Sequence, residues 1–311
     1  MRNINKNKIS LIVPTLNAGS LWEQWLEALK LQNLQPKFIM IVDSGSEDET
    51  VELAKKYGLN VKNINKNEFN HGATRQMAIE ELHGNADIII FMTQDAILSN
   101  YDSLQKIIDS FDDANIGAAY GRQLPHMNAK PLGAFAREYN YGEESYIYSK
   151  EDIPKYGIKT AFLSNSFAAY RVSALNEVGG FPSNVILGED MVVAARMLMN
   201  SWCTAYVSDA CVYHSHDYTL LEEMRRYFDI GVFHKEENWL LDEFGKPEGE
   251  GLRYLKSEMK YLLKNNWLLI PSSIIRTTCK FVGYKLGRFE RILPLSMKKK
   301  LSMHHNYWNK V

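Results

Sequence analysis

The first hundred residues alternate between short apolar runs and longer segments whose apolar residues recur at helical spacing. "KISLIVPTL" and "ADIIIFM" have the pattern of buried strands, and "KFIMIVDSGS" and "NVKNIN" read as two more. Between them, "GSLWEQWLEALKLQN" sets Leu21, Trp25, Ala28 and Leu29 at helical spacing, "DETVELAKKYG" is a helix closed by Gly58, and a third helix starts near "GATRQMAIEEL". Strand, helix, strand, helix, strand predicts an α/β domain with a mainly parallel sheet flanked by helices. In such sheets ligands sit beyond the carboxyl ends of the strands. Three strand ends carry polar residues, "PTLN" at 14–17, "DSGSED" at 43–48 and "TQDA" at 93–96, and they are expected to converge on one crevice.

From about Gly121 to Ala161 the chain is rich in Tyr and polar residues with no clean period, which reads as a long functional loop. Beyond it, "SNSFAAYR" reads as a strand, "VSALNEVGGFP" as a short helix ended by glycines, and "GEDMVVAARMLMNS" as a helix with acids at its start. "TAYVSDACVYHSH" returns as strands, and from Leu220 the signal is mostly helical. The expected organisation is a domain over 1–220 followed by a helical region over 221–311, with no internal repeat.

Composition narrows the function classes. A 45% hydrophobic, 23% charged chain of 311 residues is an ordinary globular protein, and a formal net charge of −1 argues against bulk binding to nucleic acid. The charge is uneven. From Pro271 to Val311 nine Lys or Arg face one acid, +8, which leaves −9 for the first 270 residues. Such a basic tail suits either lipid headgroups or a solvated basic face. Cys203, Cys211 and Cys279 have no CxxC spacing, so neither a disulfide framework nor a zinc site is indicated, and a reducing, cytoplasmic setting fits best. "MRNINKNKIS" lacks the apolar segment of a signal peptide, and stretches such as "WLLIPSSII" are too short to span a bilayer.

The polar residues of the strand ends offer specific chemistry. Asp43, in a turn with Ser44, Gly45, Ser46 and Asp48, is placed to accept from the imide N–H of a pyrimidine base, although Ser46 or Asp48 equally suits a helix cap. Asp95, alone at the mouth of a buried strand, can hold a divalent metal together with substrate phosphates. Asp190, in the "GED" that opens a helix, is either a first-turn acid stabilised by the dipole or a general base for a sugar hydroxyl. His214 and His216, one residue apart in a strand, point to the same side and can complete a metal site, or can be ordinary hydrogen-bonded histidines.

Taken in order, "VPTLN", "DSGSEDET", the carboxylate after the fourth strand, the "GED" helix and the later histidine resemble the inverting family 2 glycosyltransferases of the GT-A fold, over roughly residues 8–220. Within them, "EFNHGATRQ", "TQDA", "LSNSFAAYR" and "HSHDYT" look like bacterial rhamnosyltransferases that use dTDP-L-rhamnose in surface polysaccharide synthesis. The resemblance implies a GT-A catalytic domain, Rossmann-like with a mostly parallel sheet, and a mainly helical C-terminal extension. Pro14, Thr15 and Asn17 would line the nucleotide pocket, and Asp43 would read the base with Ser46 and Asp48 supporting the turn. Asn70, His71, Gly72 and Arg75 would lie near base, ribose or diphosphate, and Gln94 would bond ribose or sugar. Asp95 would bind Mg²⁺ or Mn²⁺ with His214 or His216. Asp190 would be the catalytic base with Glu189 beside it, and Arg225 and Arg226 would neutralise the leaving diphosphate.

One departure stands out: the family's DxD is here Thr93-Gln94-Asp95, with a single carboxylate. Transfer from a UDP-sugar, or nucleotide or glycan binding without catalysis, remains open on sequence alone. A nucleotidyltransferase has little support, since no glycine-rich phosphate loop with a following Lys is present. The expected partners are a nucleotide-sugar donor and a saccharide or lipid-linked saccharide acceptor, the latter met by the Tyr-rich loop of 121–162. For residues 271–311 the expectations are peripheral membrane contact at the inner membrane face, packing on the catalytic domain, or a homodimer interface.

Overall fold

The computed structural model describes residues 8–309; the stretch 1–7 and Lys310 of the basic tail lie outside the described residues. In chain order the elements are β1 Ile9–Thr15, α1 Trp22–Lys30, β2 Phe38–Asp43, α2 Thr50–Lys56, β3 Asn60–Asn63, α3 His71–Glu81, β4 Ile88–Met92, β5 Ile97–Leu98, α4 Ser103–Asp109, β6 Ile116–Leu124 and α5 Pro131–Asn140. They continue with β7 Tyr146–Tyr148, α6 Ile153–Tyr156, β8 Phe167–Arg171, α7 Val172–Glu177, α8 Glu189–Met199, β9 Cys203–Tyr213, α9 Leu220–Glu236, α10 Asn238–Phe244, α11 Glu248–Asn265, α12 Ile270–Arg288 and α13 Leu295–Leu301.

The strands form one sheet in the order β3-β2-β1-β4-β8-β6-β9-β5, with β7 also paired to β9. β1 runs parallel to β2 and β4, and β2 to β3, whereas β8 is antiparallel to both β4 and β6. β6 and β9 are parallel to each other. One edge therefore collects the carboxyl ends of β1, β2, β4, β6 and β9 and the start of β8. A register shift between Gly121 and Arg122 marks a bulge in the β6–β9 pair, which bends both strands before they reach that edge. Gly121 fits there because a Cβ would stand 2.4 Å from the Ala210 carbonyl and from the Phe167 ring.

Both faces of the sheet are covered, which is why β4 reads as an unbroken apolar run. Ile88, Ile90 and Met92 pack with Trp25 of α1 and Ile107 of α4, while Ile89 and Phe91 pack with Ala78 of α3, Leu175 of α7 and Met197 of α8. α8 is itself buried from two sides. Val193, Ala194 and Met197 face the sheet, whereas Val192, Ala195 and Leu198 join Phe228, Val232 and Phe233 of α9, Leu240 of α10 and Trp308 in a further core. The acids at its N-terminus are thus fixed by the sheet and the C-terminal helices together.

α9 and α12 approach backbone to backbone. A Cβ on Gly283 would lie 2.2 Å from the Met224 carbonyl, one on Gly287 2.0 Å from that of Phe228, and one on Gly231 2.3 Å from that of Tyr284. Glycine at these three positions sets the distance between the helices.

The segment 121–161 differs from the long loop expected of it. It holds the end of β6, then α5, begun by Pro131 in its first turn, then β7 and short turns of helix. Phe135 of α5 is buried against Tyr254 and Tyr261 of α11, with ring centroids 5.6 and 4.8 Å away. Tyr146 packs on Tyr206 at 4.9 Å and shares a 2.6 Å hydrogen bond with Tyr120, and Tyr141 lies against Phe162. Several of its tyrosines thus build an aromatic wall instead of an acceptor-facing surface. The elements are too short for a period to show, which is why the sequence pattern looks irregular.

Gly287→Ala is expected to lower stability by about 1–3 kcal/mol through overpacking, whereas Gly251→Ala, in α11 with open space around its Cβ position, is neutral or stabilising. Urea unfolding of the two variants checks this.

Candidate functional site

The first two strand ends are tied into one unit. Thr15 stands in register with Asp43, and its Oγ1 donates to Asp43 Oδ2 at 2.9 Å. Asp43 Oδ1 accepts from the backbone N–H of Gly45 (3.0 Å) and Ser46 (2.8 Å), and the Ser46 hydroxyl donates to Oδ2 at 2.5 Å. The carboxylate, only 2% exposed, thus has four donors for its roughly four lone-pair directions. Reading a base N–H through Asp43 requires a donor such as the Ser46 hydroxyl to turn away. Ser46 Oγ also accepts from Asn17 N, Asn17 Oδ1 from Glu47 N, and Asp48 Oδ2 from Gly19 N. Asp48 Oδ1 takes Thr50 N, at the start of α2. Asn17 holds the left-handed conformation, φ 46°, that lets the chain turn here. Ser46, Asp48 and Asn17 therefore shape the turn, and half-buried Pro14 leads into it.

Gln94 is engaged with protein, not presented to a sugar. Its amide pairs with the Leu16 peptide group in both directions, accepting from Leu16 N at 2.8 Å and donating to Leu16 O at 3.0 Å. This clamp joins the end of β4 to the end of β1, a role a carboxylate could not fill because it has no N–H to donate. Gln94 stands at the middle position of the DxD pattern and ties two strand ends, while the first acid of the pattern is replaced by Thr93.

Asp95 lies 3.5 Å from His214 Nε2 and 3.7 Å from His216 Nε2, and the three ligand atoms fall within 4.8 Å of one another. Arg137 donates to Gln123 Oε1 at 2.6 Å, which fixes the orientation of that amide since Arg only donates. His214 Nδ1 meets the same oxygen at 2.8 Å and must carry the proton. Its Nε2 therefore faces the Asp95 carboxylate either with a second proton or with a lone pair. The lone pair beside a carboxylate oxygen is favourable only if a cation lies between them.

Burial, reinforced by His214, pushes His216 down to about 4, so this ring is neutral at pH 7 and able to donate a lone pair. Burial opposes ionisation of Asp95, but the hydrogen bond and charge of His214 hold its carboxyl well below the usual range. The buried Thr93 hydroxyl beside it makes no hydrogen bond of good geometry. One carboxylate and two imidazoles within reach of one another fit a divalent cation.

The other wall is the start of α8. Glu189 is buried and ionised: burial opposes its charge, but Arg75 at 2.9 Å outweighs it, with Asn165 Nδ2 donating at 3.0 Å. Asp190 beside it, half-buried, is pushed up to about 7 by burial and by the Glu189 charge, against hydrogen bonds from Asn165 N (3.1 Å) and Met191 N (2.9 Å). Two adjacent carboxyls thus have opposite fates, one fixed as an anion and one poised near neutrality.

Several residues expected near the donor are structural. Asn70 caps α3, accepting from Gly72 N and Ala73 N at 3.1 and 2.9 Å. Gly72 lets the backbone of Pro182 approach, since a Cβ would stand 1.8 Å from its carbonyl oxygen. Arg75 is 3% exposed, held by Glu189 and by the His71 carbonyl at 2.9 Å, and is unavailable to a diphosphate. Arg225 turns away to the Lys300 carbonyl at 3.0 Å. Arg226, exposed, lies over the Tyr218 ring at 5.8 Å, and its charge acts on His71 and His216.

No local pattern in the sequence points to His304. The chain after α13 returns to the crevice, pinned by Met303 N to Asp229 Oδ2 at 2.8 Å, and sets His304 edge-on to His71 at 5.1 Å. Burial, then His71 and Arg226, push His304 down to about 3. Asn165, Gln123 and Arg137 were likewise without an assigned role; Asn165 lies inside "LSNSFAAYR", and no local pattern distinguishes the other two.

Residues 10–179 match the family described as Glycosyl transferase family 2. Over 305 residues the chain is 49% identical to the O-antigen chain rhamnosyltransferase RfbN of Salmonella typhimurium, covering 98% of this chain and 97% of that one. It is 48% identical to the O-antigen chain rhamnosyltransferase WbaN of Salmonella anatum, covering 97% and 96%. Among solved structures, the mannosyltransferase PcManGT from Pyrobaculum calidifontis, in complex with GDP-Man and Mn²⁺, superposes with a TM-score of 0.60 at 16% identity, covering 91% of this chain and 88% of that one. TarS 1–349 of S. aureus gives 0.52 at 18% identity, covering 91% of each. These structural likenesses establish the GT-A type of fold.

The raised carboxyl of Asp190 has a consequence for stability. Folded protein binds a proton there between the unfolded value near 3.8 and about 7, so stability falls as pH rises through that window and the deficit is complete above it. Asp190→Asn is expected to be more stable than wild type at pH 8 by roughly 2 kcal/mol, with the difference vanishing toward pH 4. Urea denaturation at the two pH values measures it.

Proposed function

The chain belongs to glycosyl transferase family 2 and is a glycosyltransferase, and from that premise we propose that it transfers L-rhamnose from dTDP-β-L-rhamnose to a saccharide acceptor in cell-surface polysaccharide synthesis. The observation that carries this reading is the near full-length identity to two O-antigen chain rhamnosyltransferases. The site supplies the means for single-displacement chemistry.

Asp190 accepts the proton of the acceptor hydroxyl as that oxygen attacks the anomeric carbon from the face opposite the nucleotide. A β-linked donor then yields an α-linked product. A base of raised affinity for protons is stronger than an ordinary carboxylate and still half ionised near neutral pH. Glu189 touches neither substrate in this scheme; it keeps its charge through Arg75 and thereby raises Asp190. The turn built on Asp43, Ser46 and Asp48 holds the pyrimidine, with Thr15 and Asn17 shaping its wall. Arg226 supplies fixed positive charge toward the diphosphate, beside the His71 and His304 rings.

Asp95, His214 and His216 would hold a divalent ion, which when bound would supply positive charge to the leaving diphosphate. Two imidazoles and one carboxylate favour Mn²⁺ over Mg²⁺, because nitrogen ligands suit the softer ion. No helix of the described residues is long and apolar enough to cross a membrane. The proposed location is the cytoplasm, where the enzyme meets a lipid-linked acceptor at the inner face of the membrane.

A panel of nucleotide sugars tests the donor. Selective use of dTDP-L-rhamnose with Mn²⁺, lost with chelator, is expected; preference for a UDP-sugar overturns the sugar assignment. Asp190→Asn is expected to lose about 10²–10⁴-fold in transfer rate with unchanged donor affinity, and wild-type kcat/KM to fall about tenfold per pH unit below about 7. A variant that keeps most of its rate removes Asp190 from the role of base.

A further inference from the structure

α12 is a helix with two unlike faces. One face packs on the protein: Ser273, Gly283 and Gly287 are buried, and Arg276 and Lys280 pair with Glu223 of α9 at 3.2 and 3.6 Å. The opposite face carries Ile274, Ile275, Thr278, Phe281, Val282, Lys285 and Phe289, all exposed and brought to one side by the 3.6-residue turn. Phe281 is 60% and Phe289 61% exposed. The ridge extends at both ends, through Trp267 and Leu268 ahead of the helix and Ile292 behind it. Apolar side chains in a line of this length are unusual on a soluble surface and mark a contact site.

Past the two acids that open α11, the charge along this part of the chain is predominantly positive. From Gly251 to Asn309 the chain has twelve Lys or Arg and two acids, Glu258 and Glu290. Both acids are buried, Glu258 accepting from Tyr254 and Ser273, and Glu290 paired with Lys298. Lys256, Lys260, Lys264, Lys285, Arg291 and Lys300 stay exposed. A second copy of this chain would bring like charge against like. An anionic bilayer meets both features, with headgroups facing the cations and acyl chains receiving the aromatic and aliphatic side chains.

We propose that the outward face of α12, from Trp267 to Ile292, lies in the surface of an anionic lipid bilayer, with the helix parallel to the membrane plane. The inner face of the same helix connects to the site. Arg276 donates to the Tyr218 carbonyl at 2.8 Å, and the Tyr218 ring stacks on His216 at 5.1 Å. The docked face is therefore one helix away from the loop that carries the metal-binding histidines. This suits an acceptor carried on a lipid, and to that extent the inference rests on the function proposed above.

Flotation of the full chain with phosphatidylglycerol-containing vesicles, against phosphatidylcholine vesicles, tests it without donor or acceptor. Binding to the anionic vesicles that weakens with salt is expected. Both Ile275→Ser/Phe281→Ser/Phe289→Ser and Lys285→Glu/Arg291→Glu are expected to bind at least about tenfold more weakly, with donor affinity and thermal midpoint unchanged. Equal partition of wild type and both variants, or no wild-type binding, overturns the proposal. A concentration-dependent dimer in place of vesicle binding, lost in the serine variant, overturns it in favour of self-association. Donor use is read separately, so vesicle binding with a different sugar donor refutes only the rhamnose reading, and rhamnosyl transfer without vesicle binding refutes only the docking.

Discussion

The buried pair between Arg75 and Glu189, 2.9 Å apart and almost without solvent, is the constraint on which the catalytic edge depends. A buried pair adds little net stability, because desolvation offsets the attraction. Its effect is electrostatic and local. Burial raises the proton affinity of Asp190 most, and the anion fixed immediately before it adds to this, so Asp190 holds its proton to near neutrality. α3 supplies the Arg, α8 the two acids and the turn before β8 the Asn165 that bridges them. None of these elements could shift independently without changing the surroundings of Asp190.

At the far end of the crevice the same logic works through hydrogen bonds. Arg137 orients Gln123, Gln123 sets the proton on His214, and Nε2 of His214 is left facing Asp95 and His216. The proposed cation site thus depends on α5, a helix in the segment whose irregular sequence read as a loop. The bulge between Gly121 and Arg122 and the turn after β9 bring the donors of this relay to the edge where β4 ends.

What was legible in the sequence is what depends on local pattern. The strands and helices around residues 8–110 follow from unbroken apolar runs and helical spacing, and the acids of "GED" are visible as a helix start. What was hidden depends on partners far along the chain. Arg75 pairs with a residue 114 positions away, Gln94 clamps a peptide group 78 positions away, and His304 arrives from the C-terminus. Nothing near Asn70 in sequence separates a helix cap from a ligand contact, since both uses need the same short amide. The resemblance supplied roles, but it could not show that Arg75 is buried or that Arg225 points away.

The dependence of Asp190 on Glu189 is tested most directly by the pH profile of kcat/KM for Glu189→Gln beside wild type. Removal of the neighbouring charge is expected to move the acid limb from about pH 7 down by a unit or more, even where the maximal rate falls. An acid limb that stays in place would refute this dependence, because burial without the Glu189 anion would then account for the proton affinity of Asp190.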